Sequence, residues 1–149
     1  MTPDGLTRSA VQATLHCLTG CAIGEVLGMV VATALGWGNA ASIAISVILA
    51  FCFGYALTLR SVLRSGVAFR RALSLVFASD TVSIVTMEVV DNAFIVLVPG
   101  AIAAGLSDGL FWWSLAVSLA IAFLVALPVN RWLIARGRGH AVMHELHAH

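Results

Sequence analysis

Four long apolar runs, separated by short polar or basic turns, make up most of this chain of 149 residues. Each run reaches the roughly 20 residues that an α-helix needs to cross the hydrocarbon core of a bilayer. Their limits predict helices over residues 9–35, 40–59, 72–98 and 110–134, between a short lead (1–8) and a basic, histidine-rich tail (135–149). The pattern therefore predicts an all-α integral membrane protein, folded as a four-helix transmembrane bundle.

The composition points to the same class of protein. Only 10% of the residues are charged and the mean hydropathy is +1.01, whereas soluble proteins carry about 25% charged residues. His16 and Glu25 interrupt the first run, unlike the apolar core of a signal peptide, so we expect this run to remain as the first helix. The expected partner is the lipid bilayer, and no nucleic-acid partner is expected.

The positions of the arginines predict the orientation in the membrane. Arg8 precedes the first predicted helix, four arginines lie in residues 60–71, and three lie in residues 131–138. The turns at the opposite ends of the helices, residues 36–39 and 101–109, contain no arginine. Because cytoplasmic loops of membrane proteins are enriched in Arg and Lys, both termini are predicted to be cytoplasmic.

Residues 16–28 of the first helix carry two stripes of side chains with a spacing of four. One stripe consists of Cys17, Cys21 and Glu25, and the other of Gly20, Gly24 and Gly28. At about 100° per residue, the two stripes lie side by side on the helix. The first offers metal ligands and a carboxylate. The second lets another helix approach closely, so we expect it to contribute to contacts within a homo-oligomer.

The third helix carries acidic side chains that hydrocarbon does not tolerate singly. Asp80, Glu88 and Asp91 share one face with Met87, and Asn92 lies at its edge. A charged side chain at the bilayer centre costs about 2.5–3.5 kcal/mol on insertion scales, so this face must meet protein or water. Asp91 is expected close to the outer surface, where water solvates it.

Counting about 1.5 Å per residue from the arginines predicts two polar layers in the bundle. The inner layer consists of His16, Cys17, Cys52 and Asp80. The outer layer consists of Glu25, Met87 and Glu88, with Cys21 between the layers. The helices are therefore expected to enclose one polar site.

Three functions fit these residue types. Thiolate, thioether, imidazole and carboxylate ligands favour a site that binds or conducts a transition-metal ion, with copper or zinc preferred. The alternatives are a proton or cation relay through Glu25, Glu88 and Asp80, and a structural membrane protein whose polar contacts fix the packing. The candidate metal ligands are His16, Cys17, Cys21, Glu25, Cys52, Asp80, Met87 and Glu88, with Asp91, Asn92, His140, His144 and His147 as secondary candidates. No nucleophile–base pair or phosphate loop indicates an enzyme.

Two further patterns concern the tail and the chain as a whole. In the tail, His140, His144 and His147 share a helical face, which is typical either of metal capture or of a solvated segment. An offset of 63 residues pairs Arg8 with Arg71, Cys17 with Asp80, and Glu25 with Glu88. At this offset the loops and the second helices do not correspond, so we interpret the pairing as coincidental.

Three stretches resemble a bacterial membrane family catalogued only as a domain of unknown function. They read LHCLTGCAIGEVLGM, ASDTVSIVTMEVVDNA and PVNRWLIARGRGHAVMHELH. The resemblance covers residues 11–149 and implies a small multi-helix protein of the bacterial inner membrane. It supplies no activity and no site residues, so the functional hypotheses rest on the residues alone.

Overall fold

The computed structural model describes residues 2–137, which form a bundle of four α-helices. The helices are α1 (Pro3–Ala34), α2 (Asn39–Arg64), α3 (Phe69–Leu97) and α4 (Gly109–Ala135), with a short 3₁₀ helix at Ala101–Ala103 between α3 and α4. Each of the four is long and apolar enough to cross a membrane. The predicted all-α transmembrane architecture is confirmed. The tail histidines lie outside the described residues.

The helices extend beyond their predicted ends, most of all at the start of α1 and at the end of α2. The Thr2 hydroxyl accepts a hydrogen bond from the Gly5 backbone amide, and Pro3 supplies a preformed backbone angle at the first helical position. As a result, α1 begins six residues before the predicted start at Ser9. Likewise, α2 continues to Arg64, so its connection to α3 is a short turn rather than the basic loop that was predicted over residues 60–71.

The helices run alternately up and down and form two hairpins, α1–α2 and α3–α4. The hairpins meet through contacts of α1 with α4 and of α2 with α3, and α1 also contacts α3 across the centre of the bundle. Large apolar side chains on the outer surface, such as Leu124 and Val89, are exposed by 68% and 63%. This surface faces lipid in a membrane, so the centre is the place where polar groups are shielded from hydrocarbon.

The glycine stripe of α1 packs against α2 of the same chain. A Cβ atom added at Gly20 would lie 2.5 Å from the Cα atom of Gly54, and one at Gly24 would lie 2.5 Å from the Cα atom of Ala50. The backbones are therefore too close for any side chain at these positions. Our expectation that the stripe joins copies of the chain is wrong, because α2 already covers it.

The two hairpins are related in sequence and in their buried positions. At the offset of 63, seven of the nine buried positions of α3 coincide with buried positions of α1. At an offset of 72, all five buried positions of α2 coincide with buried positions of α4. Residues 42–51 (SIAISVILAF) also resemble residues 114–123 (SLAVSLAIAF).

The buried face of α1 therefore corresponds to that of α3, and the buried face of α2 corresponds to that of α4. The pairing at the offset of 63, which we interpreted as coincidental, joins positions that are buried in both helices at Cys17 and Asp80 and at Glu25 and Glu88. The longer α3–α4 connection changes the offset for the second helix of each hairpin, which conceals the repeat when a single offset is used.

Candidate functional site

Three buried carboxyl groups meet where α1 and α3 approach each other at the centre of the bundle. We call Glu25, Glu88 and Asp91 the carboxylate cluster; their side chains are exposed by only 7%, 6% and 3%. The side chain of Glu25 interacts with both Asp91 and Glu88. Carboxylates at such close range repel one another unless a proton or another cation lies between them. The cluster is therefore arranged to hold positive charge.

Hydrogen bonds fix part of this cluster and leave part of it open. Ser118 on α4 donates a hydrogen bond to Oδ1 of Asp91, and the Asn92 amide lies 3.4 Å from Oε2 of Glu88. Among the described groups, none donates a hydrogen bond to Oε1 of Glu88 or Oδ2 of Asp91, although both atoms are buried. Glu25 faces Asp91 and Cys21 faces Glu88. Either group can donate a hydrogen bond to its neighbouring carboxylate only while it keeps its proton.

No basic side chain compensates the cluster within the described residues. The chain contains no lysine. The arginines of residues 2–137 lie near the start of α1 and α3 and near the end of α2 and α4, which is one end of the bundle. The cluster lies toward the opposite, arginine-free end. A buried charge requires a partner, so a proton or a small cation is left to provide it.

A cavity connects the arginine-free end of the bundle to the cluster. Its polar lining consists of Glu25, Asn39, Ser42, Ser46, Asn92 and Ser114. The centres of water molecules can occupy ≈ 40 Å³ of it, and about 10–15 Å³ suffices for one water. Water can therefore approach Glu25 from this end, which supplies a route for proton exchange.

A second set of buried polar residues lies toward the arginine-rich end. We call it the inner polar network; its members are Thr14, Ser79, Asp80, Ser83 and Asn130. The Asn130 amide on α4 donates to the hydroxyl of Thr14 on α1 at 2.9 Å and to that of Ser83 on α3 at 3.0 Å. Ser79 donates to Oδ1 of Asp80 at 2.7 Å. The network ties three helices together.

A closely packed layer separates the carboxylate cluster from the inner polar network. Cys17, Cys21, Ile84 and Met87 form it together with three alanines, and each of these four side chains is at most 2% exposed. Cys17 interacts with Ser83 and Asp80 of the network, whereas Cys21 interacts with Glu88 of the cluster. The two thiols therefore lie between the two polar sets, within a closely packed apolar layer.

The structure gathers most of the predicted site residues but not all of them. Cys17 meets Asp80, and Cys21 lies with Met87 beside the carboxylates, close to the predicted two layers. His16 and Cys52 are exposed on the outer surface and do not join the inner layer. His16 is turned about 100° away from Cys17 on the same helix, so its ring contacts the Gln12 carbonyl oxygen at 3.2 Å instead.

The structure also corrects the environment of Asp91. We expected water to solvate its carboxyl group, but its side chain is only 3% exposed and is held by Ser118. The reason is that α4 passes over this part of α3 and covers it.

Five contributors were missed: Thr14, Ser79, Ser83, Ser118 and Asn130. A signal for Asn130 was present, because an amide within an apolar span requires a buried partner. Single hydroxyls carry no such signal, since a helix satisfies them through its own carbonyl oxygens.

The geometry also bears on the candidate metal ligands. Within residues 2–137, no three His, Cys, Asp or Glu side chains are grouped so that they could hold a metal ion. The thiols and carboxyl groups form a row along the bundle axis rather than a shell around one point.

Four apolar helices around buried carboxyl groups define a multi-pass helical membrane protein with an intramembrane polar site. Within that class, the chain belongs to the family described as "Domain of unknown function (DUF4396)", whose pattern matches residues 7–139. No curated protein and no solved structure matches the chain. The family resemblance of the sequence motifs is confirmed.

Proposed function

We propose that this protein relays protons within a membrane, with the carboxylate cluster as the group that takes up and releases them. The observation that carries the proposal is the close approach of three buried carboxyl groups, in which Oε1 of Glu88 and Oδ2 of Asp91 accept no hydrogen bond from a described amide, hydroxyl or guanidinium group. They lie beside a third carboxyl group, Glu25, which lines a cavity that admits water. Intramembrane acids placed in this way are typical of proton pathways.

The packed layer sets the condition for net transport. Protons enter through the cavity and exchange on Glu25, Glu88 and Asp91. They pass to the inner polar network only when the layer around Ile84 and Met87 opens. The cluster lies where the two hairpins of the repeat meet, which is the position of substrate sites in transporters built from repeats. A small relative movement of the hairpins opens the layer and exposes the cluster to the other side.

The proposal includes an orientation. With the arginine-rich end on the cytoplasmic side of a bacterial inner membrane, both termini are cytoplasmic and the cavity opens to the outer side. The carboxylate cluster and the inner polar network lie within one chain, so the relay requires no second copy. Assembly into a homo-oligomer stays a prediction from the sequence.

Proton flux into liposomes that contain the purified protein tests this function. With an imposed membrane potential and a pH-sensitive dye inside, wild-type protein is expected to acidify the lumen. Glu88→Gln keeps the size of the side chain but cannot ionise, so the flux is expected to fall by about two orders of magnitude, as when a proton-transfer group is removed. Asp108→Asn is the matched control, because Asp108 is exposed in the α3–α4 connection.

A proton flux that stays at the wild-type level in Glu88→Gln, Glu25→Gln and Asp91→Asn would overturn the relay.

The transition-metal site is the second candidate, because both thiols, Cys17 and Cys21, are buried next to carboxyl groups. Elemental analysis distinguishes it: a copper or zinc ion that co-purifies with the wild type and is lost from the Cys17→Ser, Cys21→Ser double variant supports metal binding. The proton relay predicts that the double variant keeps its flux.

A further inference from the structure

An open groove lies at the arginine-rich end of the bundle, on the outer side of the α1–α2 hairpin. It has a volume of ≈ 540 Å³ and is lined by His16, Leu57, Arg60, Ser61, Arg64 and Ser65. Within residues 2–137, no carboxyl group lines it. Two arginines and an imidazole thus surround this groove, and none of the described acidic side chains enters it. The groove is separate from the carboxylate cluster.

The lining matches the chemistry of a phosphate group. Arg60 and Arg64 lie one helical turn apart on α2, so their guanidinium groups can reach the same anion. Guanidinium groups bind phosphate oxygens through paired, charge-assisted hydrogen bonds. His16 on α1 and the Ser61 hydroxyl add donors from the other walls. The groove is therefore suited to an oxyanion with several acceptor oxygens.

The apolar side of the groove faces lipid. Leu57 lines the groove one turn closer to the bilayer centre than Ser61, and the neighbouring Leu15 on α1 is 47% exposed. A phospholipid can therefore place its phosphate between the arginines while its acyl chains lie along α1 and α2. Basic pockets at the membrane surface between transmembrane helices bind lipid headgroups in this way.

The second hairpin provides an internal comparison. The offset of 72 pairs Arg64 with Arg136 and Arg60 with Trp132. Arg136 lies over the ring of Trp132, 4.4 Å from its centre, so its guanidinium group already has an aromatic partner. Arg64 lies in the last turn of α2, and Arg136 directly follows the last residue of α4. The open pair of arginines is thus specific to the first hairpin.

We propose that this groove binds a phosphate group, carried either by an anionic phospholipid of the surrounding leaflet or by free phosphate in solution. The full-length protein is placed in phosphatidylcholine nanodiscs, and binding of fluorescent phosphatidylglycerol is measured with and without inorganic phosphate. Wild-type protein is expected to bind the lipid saturably. Displacement by millimolar phosphate identifies the free anion as the ligand, and persistence identifies the lipid.

The variants separate a site from a general surface charge. Arg64→Gln is expected to weaken binding about tenfold, the loss typical of one charge-assisted hydrogen bond of about 1.5 kcal/mol. Arg136→Gln removes the same charge at the equivalent position of the other hairpin and is expected to leave binding unchanged. Two double variants repeat the comparison with two charges removed. One is Arg60→Gln with Arg64→Gln, inside the groove, and its control is Arg70→Gln with Arg71→Gln, outside it.

If each control variant weakens binding as much as the matching groove variant, the proposal is overturned. The probe would then be attracted to the total charge of the protein and not to the groove. Saturable binding of neither probe by wild-type protein would overturn it as well. Proton flux through Glu88 is measured separately in liposomes of phosphatidylcholine alone, so failure of the relay and failure of the phosphate site are distinguishable.

Discussion

Asn130 and Thr58 occupy equivalent positions in the two hairpins, yet the bundle uses them differently. Both side chains are buried, with exposures of 5% and 0%. The Asn130 amide donates to Thr14 and Ser83, whereas the Thr58 hydroxyl has no hydrogen-bond partner among the described residues. The two hairpins thus differ at this position: Asn130 joins a hydrogen-bond network, whereas Thr58 does not.

This difference predicts that two substitutions, Asn130→Ala and Thr58→Val, change the free energy of unfolding differently. Asn130→Ala leaves the hydroxyls of Thr14 and Ser83 without their donor and is expected to cost about 1–3 kcal/mol. Thr58→Val keeps the shape and removes an unsatisfied polar group, so it is expected to be neutral or stabilising. Thermal unfolding in detergent measures both, and a Thr58→Val variant that melts as early as Asn130→Ala would contradict the assignment.

For single residues, the sequence predicted that the acidic side chains are buried, but it did not predict which residues contact them. Glu25, Glu88 and Asp80 had to turn inward, because lipid excludes single charges. The depth of Asp91 and the exposure of His16 depend on where the other helices lie, which helical spacing alone does not specify.

At the scale of the helices, close packing of the α1–α2 hairpin contrasts with the polar contacts between the hairpins. The backbones of α1 and α2 touch at Gly20, Gly24 and Gly28. The carboxylate cluster and the inner polar network lie instead between α1, α3 and α4. The first hairpin is therefore a rigid unit, and any movement that opens the packed layer takes place between hairpins.

A large side chain at Gly24 tests this rigid unit. Gly24→Leu forces α1 away from the backbone at Ala50 and is expected to cost about 1–3 kcal/mol or more through overpacking. Gly38→Ala is the control, since nothing lies within 4 Å of the added carbon. Circular dichroism during thermal unfolding gives the comparison, and equal melting temperatures for the two variants would contradict the contact.

The four helices were predictable because hydropathy alone specifies spans in lipid. The partner of the glycine stripe was not predictable. A stripe of small residues fits another helix equally well within the chain and between chains. The early start of α1 follows from a cap and a proline, which extend a helix into a polar segment without any apolar signal.

Viewed as a whole, the molecule is a pair of hairpins with corresponding buried faces. Its buried carboxyl groups lie in the centre of the bundle and its described arginines lie at one end. The offset of 63 was visible in the sequence, but the second helices follow an offset of 72 because the connection after Leu97 is longer. Only the coordinates showed that the buried positions of both helices correspond. The different lengths of the two connections hide this correspondence when a single offset is applied to the sequence.

The orientation proposed for the whole molecule predicts which connections are accessible from outside the cell. In a background without native cysteines, Ser107→Cys in the α3–α4 connection is expected to react with a membrane-impermeant maleimide in intact cells. Ser65→Cys, at the arginine-rich end, is expected to react only after the membrane is permeabilised. The reverse pattern would show that the cavity opens to the cytoplasm.

The central claim is that buried carboxyl groups on the axis exchange protons, and infrared difference spectroscopy during a pH titration tests it directly. The carbonyl absorption of a protonated carboxyl group should appear in wild-type protein and weaken in Glu88→Gln, while Asp108→Asn leaves it unchanged. Identical difference spectra for the wild type and for Glu88→Gln, Glu25→Gln and Asp91→Asn would show that the cluster exchanges no protons, and the account would be contradicted.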